Sequence, residues 1–215
     1  MLAALCALLL APRPMRLCFV RHGETRANAT GVYNSRTIDA FSEKGEKEVT
    51  ALTKELDRMR FDAIVVSPSP RALRTIAPYL RAHHFVAEVW PELLECCDAH
   101  SKKIKGLTSP QIRYGGVISI PKDLAGLFVF APGNNRYILA PSYDDGLRQI
   151  RFAADHLKRA FAGTGKTVLV VGHSLHGGRM IELLEGKPMV GRIRPDNARL
   201  MTFNEMPNGS FAPAR

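Results

Sequence analysis

The segment LCFVRHGETRAN spans residues 17–28 and joins a short apolar run to a polar turn. Four apolar residues followed by Arg21, His22 and Gly23 are typical of a buried β-strand that ends in a loop. The segment VLVVGHSLHGG, residues 168–178, has the same pattern, and His173 follows its apolar run. The two segments therefore predict two strands, each of which delivers a histidine at its carboxyl end.

Strands and helices alternate along the rest of the chain. Apolar runs predict further strands at residues 61–66 and 85–90, and a last strand at residues 200–203. Apolar side chains at helical spacing, with Ser42 as an N-cap of the first helix, predict helices from residue 42 to about 59, and over residues 71–83, 143–161 and 175–184. This alternation predicts a three-layer αβα sandwich with a mostly parallel central sheet. In such sheets ligands bind at the carboxyl ends of the strands, which is where both histidines fall.

The composition favours a single globular domain with an anionic partner. A chain of 215 residues with 46% hydrophobic residues can bury one core. Its net charge of +10 raises the local concentration of anions. The basic residues are scattered, apart from Lys102, Lys103 and Lys105, and no nucleic-acid-binding motif frames them. The anionic partner could be a small phosphorylated substrate, nucleic acid or an anionic membrane surface; nucleic acid is the weaker interpretation, and we expect no nucleic-acid partner.

The amino terminus carries a separate apolar stretch. Residues 1–14 are too short to span a bilayer and lack the basic start of a signal peptide. We expect them to be an extension or a start upstream of Met15, with the domain at residues 15–215 and no stable membrane association. The cysteines Cys6, Cys18, Cys96 and Cys97 show neither zinc nor disulfide spacing, so free thiols in the cytoplasm are expected. A secreted or periplasmic protein is the alternative if residues 1–14 act as a signal segment.

Ser174 is an alternative candidate nucleophile in the segment that contains His173. The order Gly172, His173, Ser174 is close to the nucleophile elbow of α/β-hydrolases. In those enzymes the catalytic histidine follows the nucleophile and the acid in the chain, but no histidine follows His176 here. Ser174 is therefore expected to begin a helix, and the histidine is expected to do the chemistry.

Four ordered motifs give the chain a family resemblance. The segments are RHGETRAN (21–28), SPSPRALRT (67–75), PELLE (91–95) and VVGHS (170–174). Together they resemble the histidine phosphatase superfamily, also called phosphoglycerate mutase-like, from Met15 to about Phe203. The resemblance implies the phosphoglycerate mutase-like fold and a metal-independent phosphomonoesterase that hydrolyses a small phosphate ester without a cofactor.

The resemblance also implies roles for individual residues. His22 would accept the phosphoryl group and pass it to water, since a neutral imidazole is a good nucleophile near neutral pH. Arg21 and Arg71 would grip phosphate oxygens, with Asn28 and His173 as further hydrogen-bond partners. Glu95 would be the general acid and base. Glu92 stays open as the alternative acid, and His176 as the alternative second histidine.

The chain departs from the family pattern after Glu95. The glycines usual four and eight residues later are replaced by Ala99 and Lys103. Residues 96–141 are expected to form a substrate-capping insertion, where Lys102, Lys103 or Lys105 could meet a second anionic group. Residues 95–99 and 140–142 also lack the E-R-H-Y-G and G-E-S segments typical of the phosphoglycerate mutase branch, and these two departures favour a phosphatase. A 2,3-bisphosphoglycerate-dependent phosphoglycerate mutase and an inactive phosphate-binding protein remain alternatives, and the oligomeric state stays open, a homodimer included.

Overall fold

A seven-stranded sheet forms the middle layer of the molecule. The computed structural model describes residues 12–97, 113–138 and 140–214. In chain order the strands are β1 (Arg16–Arg21), β2 (Ala63–Val66), β3 (Ala87–Val89), β4 (Phe128–Val129), β5 (Thr167–Gly172), β6 (Leu200–Glu205) and β7 (Phe211–Pro213). Across the sheet their order is β4-β3-β2-β5-β1-β6-β7. The first five in this order pair in parallel, whereas β6 and β7 pair antiparallel.

Helices cover both faces of this sheet. They are α1 (Arg26–Thr30), α2 (Glu43–Leu56), α3 (Pro70–His83), α4 (Tyr143–Phe161) and α5 (Ser174–Leu184). Buried side chains of α2 and α3, such as Leu52 and Leu73, pack in one core cluster. Those of α4 and α5, such as Ile150 and Met180, pack in the other. The predicted three-layer αβα sandwich with a mostly parallel sheet is confirmed. No helix in the described ranges has both the length and the apolarity needed to cross a membrane.

The start of α2 shows how the local sequence builds an element. The Ser42 hydroxyl accepts a hydrogen bond from the Gly45 N–H at 3.0 Å, which satisfies an amide that the helix itself leaves unpaired. A Cβ at Gly45 would collide with the backbone of Glu24. Glycine therefore lets the first turn of α2 pack directly against the loop that follows β1.

Two glycines fix α5 against the sheet. A Cβ at Gly177 would collide with the ring of Phe19 in β1, and one at Gly178 would collide with the carbonyl oxygen of Ile193. The helix can approach β1 closely only because these positions lack side chains. This packing holds the start of α5 beside the end of β1.

The edges of the sheet differ from the prediction. Residues 200–203 form a strand as predicted, but it is not the last one, because β6 reaches Glu205 and β7 then pairs with it. At the other edge, two residues of the apolar run at 127–130 form β4, which pairs with β3. Both edge strands have three residues or fewer, too few for an alternating pattern to show in the sequence.

The predicted start of the domain at residue 15 and the predicted capping insertion at residues 96–141 stay predictions. Arg13 pairs with the turn at residues 163–165, where its N–H donates to Gly163 O at 3.0 Å. Positions 98–112 and 139 of the expected capping insertion (residues 96–141) lie outside the described residues. Lys102, Lys103 and Lys105 are among them. The described remainder holds β4 and a short 3₁₀ turn at Lys122–Leu124.

Candidate active site

Strands β1 and β5 place two histidines side by side. They pair in parallel with Arg21 opposite Gly172, so the next residues, His22 and His173, leave the sheet together. Their ring centroids are 5.3 Å apart at an interplanar angle of 63°. Both side chains are buried. The register of one strand pair thus unites residues 151 positions apart in the chain.

The His22 ring has a defined tautomer when it is neutral. Its Nδ1 lies 2.8 Å from the carbonyl oxygen of Gly23. Since a carbonyl can only accept, Nδ1 carries the proton and donates it, and Nε2 keeps its lone pair. Burial, together with the guanidinium groups of Arg71 and Arg21, lowers the pKa of His22 well below the ordinary value of 6.5. The ring is therefore a neutral imidazole with a free nucleophilic nitrogen at neutral pH.

The loop that holds His22 is shaped by Gly23 and Thr75. The Gly23 N–H donates to the Thr75 hydroxyl at 3.0 Å, and that hydroxyl donates to Arg71 O at 2.7 Å. A Cβ at Gly23 would lie 2.7 Å from the side chain of Val49. Only glycine fits between the histidine and α2, which explains why an R-H-G sequence appears here.

His173 is bonded at both ring nitrogens. Its Nε2 lies 2.7 Å from the Ser67 hydroxyl, and its Nδ1 lies 3.4 Å from Arg71 Nη2. A guanidinium only donates, so Nδ1 accepts and Nε2 donates to Ser67 in this arrangement. Burial, followed by the charges of Arg71 and the neighbouring His22, lowers the pKa of His173 well below 6.5.

Two guanidinium groups give the site its positive charge. Arg71 lies in the first turn of α3, is buried, and forms an ion pair with Asp39 at 3.1 Å. Arg21 ends β1, and its Nη1 donates to Pro195 O at 3.2 Å. Within the described ranges the buried Nε of Arg21 has no hydrogen-bond partner. A planar fork of N–H donors of this kind matches the oxygens of a phosphate group.

Glu95 approaches the same pocket from the end of β3. After a 3₁₀ turn at Pro91–Leu93, its carboxylate accepts the backbone N–H groups of Leu175 at 3.2 Å and His176 at 2.8 Å, in the first turn of α5. The Cys96 N–H is a third donor at 3.3 Å. Burial raises the pKa of Glu95 above its ordinary 4.5, although the amides of His176 and Leu175 oppose the shift.

The alternative residues lie elsewhere. Glu92 Oε1 pairs with His156 Nδ1 at 2.6 Å beneath α4, away from His22. His176 is buried, and burial lowers its pKa to about 4. Neither residue lines the pocket that holds His22; His173 is fully buried and does not line it either, but its ring packs against the ring of His22. The geometry thus brings Glu95 and His173, and not Glu92 or His176, to the predicted nucleophile.

Asn28 lines the pocket, but its side chain also orders the local backbone. Its Oδ1 accepts from the N–H and hydroxyl of Thr25, while the Thr25 hydroxyl accepts from Asn28 N–H. This reciprocal capping box starts α1. Asn197 also donates to Asn28 Oδ1 at 3.5 Å and to His22 O at 2.8 Å.

Together these groups surround a cavity of about 300 Å³. Its lining consists of Arg21, His22, Thr25, Asn28, Tyr33, Ile38, Arg71, Glu95, Ser174 and Leu175. Sequence reasoning missed Tyr33 and Ile38, because the segment between α1 and α2 carries no periodic pattern. Ser174 begins α5, as predicted, and its place after His173 also makes it part of the lining.

Comparison with known proteins agrees with this arrangement. The family model of the histidine phosphatase superfamily (branch 1) matches residues 17–210. The chain therefore belongs to the histidine phosphatase superfamily.

Curated relatives match over part of their length. The adenosylcobalamin/α-ribazole phosphatase of Salmonella typhimurium is 36% identical over 81 residues, which is 38% of this chain and 40% of that protein. The Escherichia coli protein of the same name is 32% identical over the same length. The chain thus matches less than half the length of these relatives.

Solved structures match over nearly the whole chain. The α-ribazole phosphatase from Shigella flexneri has a TM-score of 0.62 at 19% identity, and covers 93% of this chain and 95% of its own. A phosphoserine phosphatase variant from Entamoeba histolytica, in complex with phosphoserine, has a TM-score of 0.60 at 19% identity and covers 94% and 95%. These likenesses establish the phosphoglycerate mutase-like fold.

Proposed function

We propose that this protein is a metal-independent phosphomonoesterase that hydrolyses a small phosphate ester through a phosphohistidine at His22. The observation that carries the proposal is the neutral His22 ring, whose Nδ1 is bonded to Gly23 O and whose Nε2 is left with its lone pair in a pocket that Arg21, Arg71 and Glu95 also line. A nucleophile, anion-binding donors and a buried carboxyl group are the parts that phosphoryl transfer requires.

In the first half-reaction His22 Nε2 attacks the phosphorus atom and the ester P–O bond breaks. Arg21, Arg71 and His173 stabilise the negative charge on the phosphoryl oxygens. The leaving alkoxide takes a proton from the carboxylic acid of Glu95. The raised pKa of Glu95 supports this step, because it keeps part of the population protonated at higher pH than an exposed glutamate would.

In the second half-reaction the Glu95 carboxylate takes a proton from water. The resulting hydroxide attacks the phosphorus atom, the P–N bond breaks, and His22 Nε2 recovers its lone pair. Inorganic phosphate leaves, and Glu95 is again a carboxylic acid. The N–H groups of Leu175 and His176 support this step, because they stabilise the carboxylate form of Glu95 between the two proton transfers.

The proposal includes the remaining site roles and the setting. Asn28 is assigned to phosphate binding from its place in the lining. The cytoplasm is the proposed location, supported by the free thiols of Cys18, Cys96 and Cys97. The substrate is proposed to be a small phosphate monoester, the class to which the named phosphatase relatives point.

The test is phosphate release in the presence of EDTA. Purified protein is assayed on p-nitrophenyl phosphate and on a panel that includes α-ribazole phosphate, phosphoserine and 3-phosphoglycerate. We expect turnover that persists in EDTA and disappears in His22→Ala. His83→Gln serves as the matched control and should retain activity, because His83 ends α3 and does not line the pocket.

Trapping the intermediate completes this test. Acid-labile, base-stable phosphate should appear on His22 during turnover and be absent from His22→Ala. Turnover that survives His22→Ala, or that EDTA abolishes, would refute the proposal. Isomerisation of 3-phosphoglycerate without net phosphate release would identify a mutase, and phosphate binding without any turnover would identify an inactive binder.

A further inference from the structure

Two neighbouring thiols directly follow Glu95 in the chain. Cys96 and Cys97 are both free and buried, and their Sγ atoms are 3.2 Å apart. A disulfide bond has an S–S distance of roughly 2.05 Å. The two sulfurs therefore face each other already and need only a small further approach to bond. We call this pair the Cys96–Cys97 dithiol.

Helix α4 holds both sulfurs on one side of the chain. The Cys96 sulfur lies 3.6 Å from Gly146 O, and the Cys97 sulfur lies 3.7 Å from Tyr143 O. A Cβ at Gly146 would collide with the Cys97 sulfur and lie 3.3 Å from the Cys96 sulfur. The absence of a side chain at Gly146 makes the room in which the two thiols meet.

The dithiol has a donor and a nucleophile. The hydrogen bond from the Cys96 thiol lowers the pKa of Cys97, and the charge of Arg179 acts in the same direction against burial. The same contact, together with burial, raises the pKa of Cys96 well above its ordinary value. Cys97 is therefore the sulfur that reaches the reactive thiolate form first.

A direct hydrogen bond links the dithiol to Glu95. The Cys96 N–H donates to Glu95 Oε1 at 3.3 Å, and the same oxygen accepts from His176 N–H at 2.8 Å. The Cys96 amide nitrogen is bonded to the Cys96 Cα. This Cα would be a member of the ring that a Cys96–Cys97 disulfide closes. Ring closure changes the torsions around that Cα, and with them the direction of a hydrogen bond that positions the carboxyl group.

We propose that the Cys96–Cys97 dithiol is a redox modification site, which a peroxide converts to a vicinal disulfide, and that this displaces Glu95 and slows hydrolysis. The Cys97 thiolate attacks one oxygen of hydrogen peroxide, the O–O bond breaks, and hydroxide leaves to give Cys97–SOH. The Cys96 sulfur then gives up its proton and attacks the Cys97 sulfur, and water leaves. Two thiols are oxidised to one disulfide, and one peroxide is reduced to two waters.

A small oxidant suits this site because both thiols are almost fully covered. Cys96 is 4% exposed and Cys97 is 6% exposed. Large thiol reagents would need the surrounding chain to open, whereas hydrogen peroxide is little larger than water. The regulatory part of the inference rests on the proposed function, since it acts through Glu95 as acid and base.

The experiment treats the reduced full-length protein with hydrogen peroxide and follows both chemistry and activity. Trypsin releases residues 82–102 as one peptide, which contains no cysteine other than this pair. We expect that peptide to lose 2 Da, and kcat on an alkyl phosphate to fall roughly tenfold or more, since a general acid contributes about 10²- to 10⁴-fold. The loss on p-nitrophenyl phosphate should be smaller, because its leaving group needs less protonation. Dithiothreitol should reverse all three changes.

The variants Cys96→Ser and Cys97→Ser separate this site from other oxidation. Both should lose the peroxide effect, and Cys97→Ser should keep the kcat of the reduced protein. A 2 Da loss with unchanged kinetics would overturn the inference and leave the proposed function intact. An activity loss without the 2 Da change in the wild-type peptide would overturn it too, and this readout does not depend on whether the variants fold. A reduced protein without phosphatase activity would overturn the proposed function and this inference together.

Discussion

Glu92 and Glu95 lie three residues apart on one connection, yet they belong to two different regions of the molecule. Under α4, Glu92 pairs with His156, whose ring stacks on Trp90 with centroids 3.9 Å apart. Glu95 lines the same pocket as His22, and its bonding partners within the described ranges are backbone amides. Both regions contain a buried carboxyl group and a histidine, but in the first region the two side chains bond to each other.

This difference separates a pair of side chains bonded to each other from a pair that the proposed function requires to meet a substrate. A carboxylate and an imidazole in mutual contact stabilise each other and have little capacity left for a ligand. Gln149 strengthens that region further, because its Nε2 donates to Glu92 O at 2.9 Å and to Leu94 O at 2.8 Å. In the pocket, the described contacts include no hydrogen bond between the Glu95 carboxyl group and the His22 imidazole, so under the proposed function both remain available to a substrate.

Exchanging each glutamate for glutamine is the strongest way to break the comparison. Glu95→Gln should lower kcat on alkyl phosphates by roughly 10²- to 10⁴-fold, the usual contribution of a general acid. The loss on p-nitrophenyl phosphate should be smaller. Glu92→Gln should keep near wild-type activity but lower the free energy of unfolding by about 1–3 kcal/mol, because it weakens a buried hydrogen bond. Steady-state kinetics and urea denaturation of both variants provide the measurement.

The pH profile sharpens the assignment of Glu95. Burial raises its pKa, so the protonated acid is lost as the pH rises through that raised value, and kcat/KM on alkyl phosphates should fall there. The Glu95→Gln variant should lack that basic limb. If it retained the limb, another group would be the acid.

His176 should make stability depend on pH. Its N–H donates to Glu95, and burial lowers the pKa of its side chain to about 4. The unfolded chain, with a pKa of about 6.5 for this group, binds the extra proton first. Stability is therefore lost as the pH falls from about 6.5 towards 4. Between pH 7 and pH 5 the loss should be about 2 kcal/mol from this residue.

Urea denaturation at the two pH values checks this expectation. The buried rings of His22 and His173 add losses of the same sign, since their pKa values are lowered too. The informative quantity is therefore the difference between wild type and His176→Asn, whose loss should be smaller by about 2 kcal/mol. Equal losses in both proteins would contradict the assignment.

A smaller effect is expected from the hydroxyl that positions His173. Ser67→Ala removes the partner of His173 Nε2 and should lower kcat/KM about fivefold, since one such hydrogen bond contributes about 1 kcal/mol. Ser69→Ala is a matched control two residues away, because the Ser69 hydroxyl is buried and has no hydrogen-bond partner in the described part of the chain. Ser67→Thr keeps a hydroxyl and should recover part of the loss. If Ser67 had a purely structural role, Ser67→Ala and Ser67→Thr would lower the free energy of unfolding without changing kcat/KM.

Much of the fold could be predicted because it depends on local patterns. Apolar runs and helical spacing predict β1, β5 and the four long helices to within a few residues, since these elements bury one face or both. The edge strands β4 and β7 could not be predicted in this way. Their pairing depends on where β3 and β6 present free edges, and that is known only once the sheet has formed.

The sequence by itself determined the family, the two strand-end histidines and the candidate arginines, because these residues occur at fixed offsets within single segments. Tertiary structure decided the choices between neighbours: it placed Glu95 rather than Glu92 in the pocket lining, and the ring of His173 rather than that of His176 against His22. It alone brought Tyr33 and Ile38 to the lining and the thiols of Cys96 and Cys97 against α4. The physical reason is that a side chain's direction depends on backbone torsions and on packing between distant segments. The spacing of residues along the chain specifies neither these torsions nor this packing.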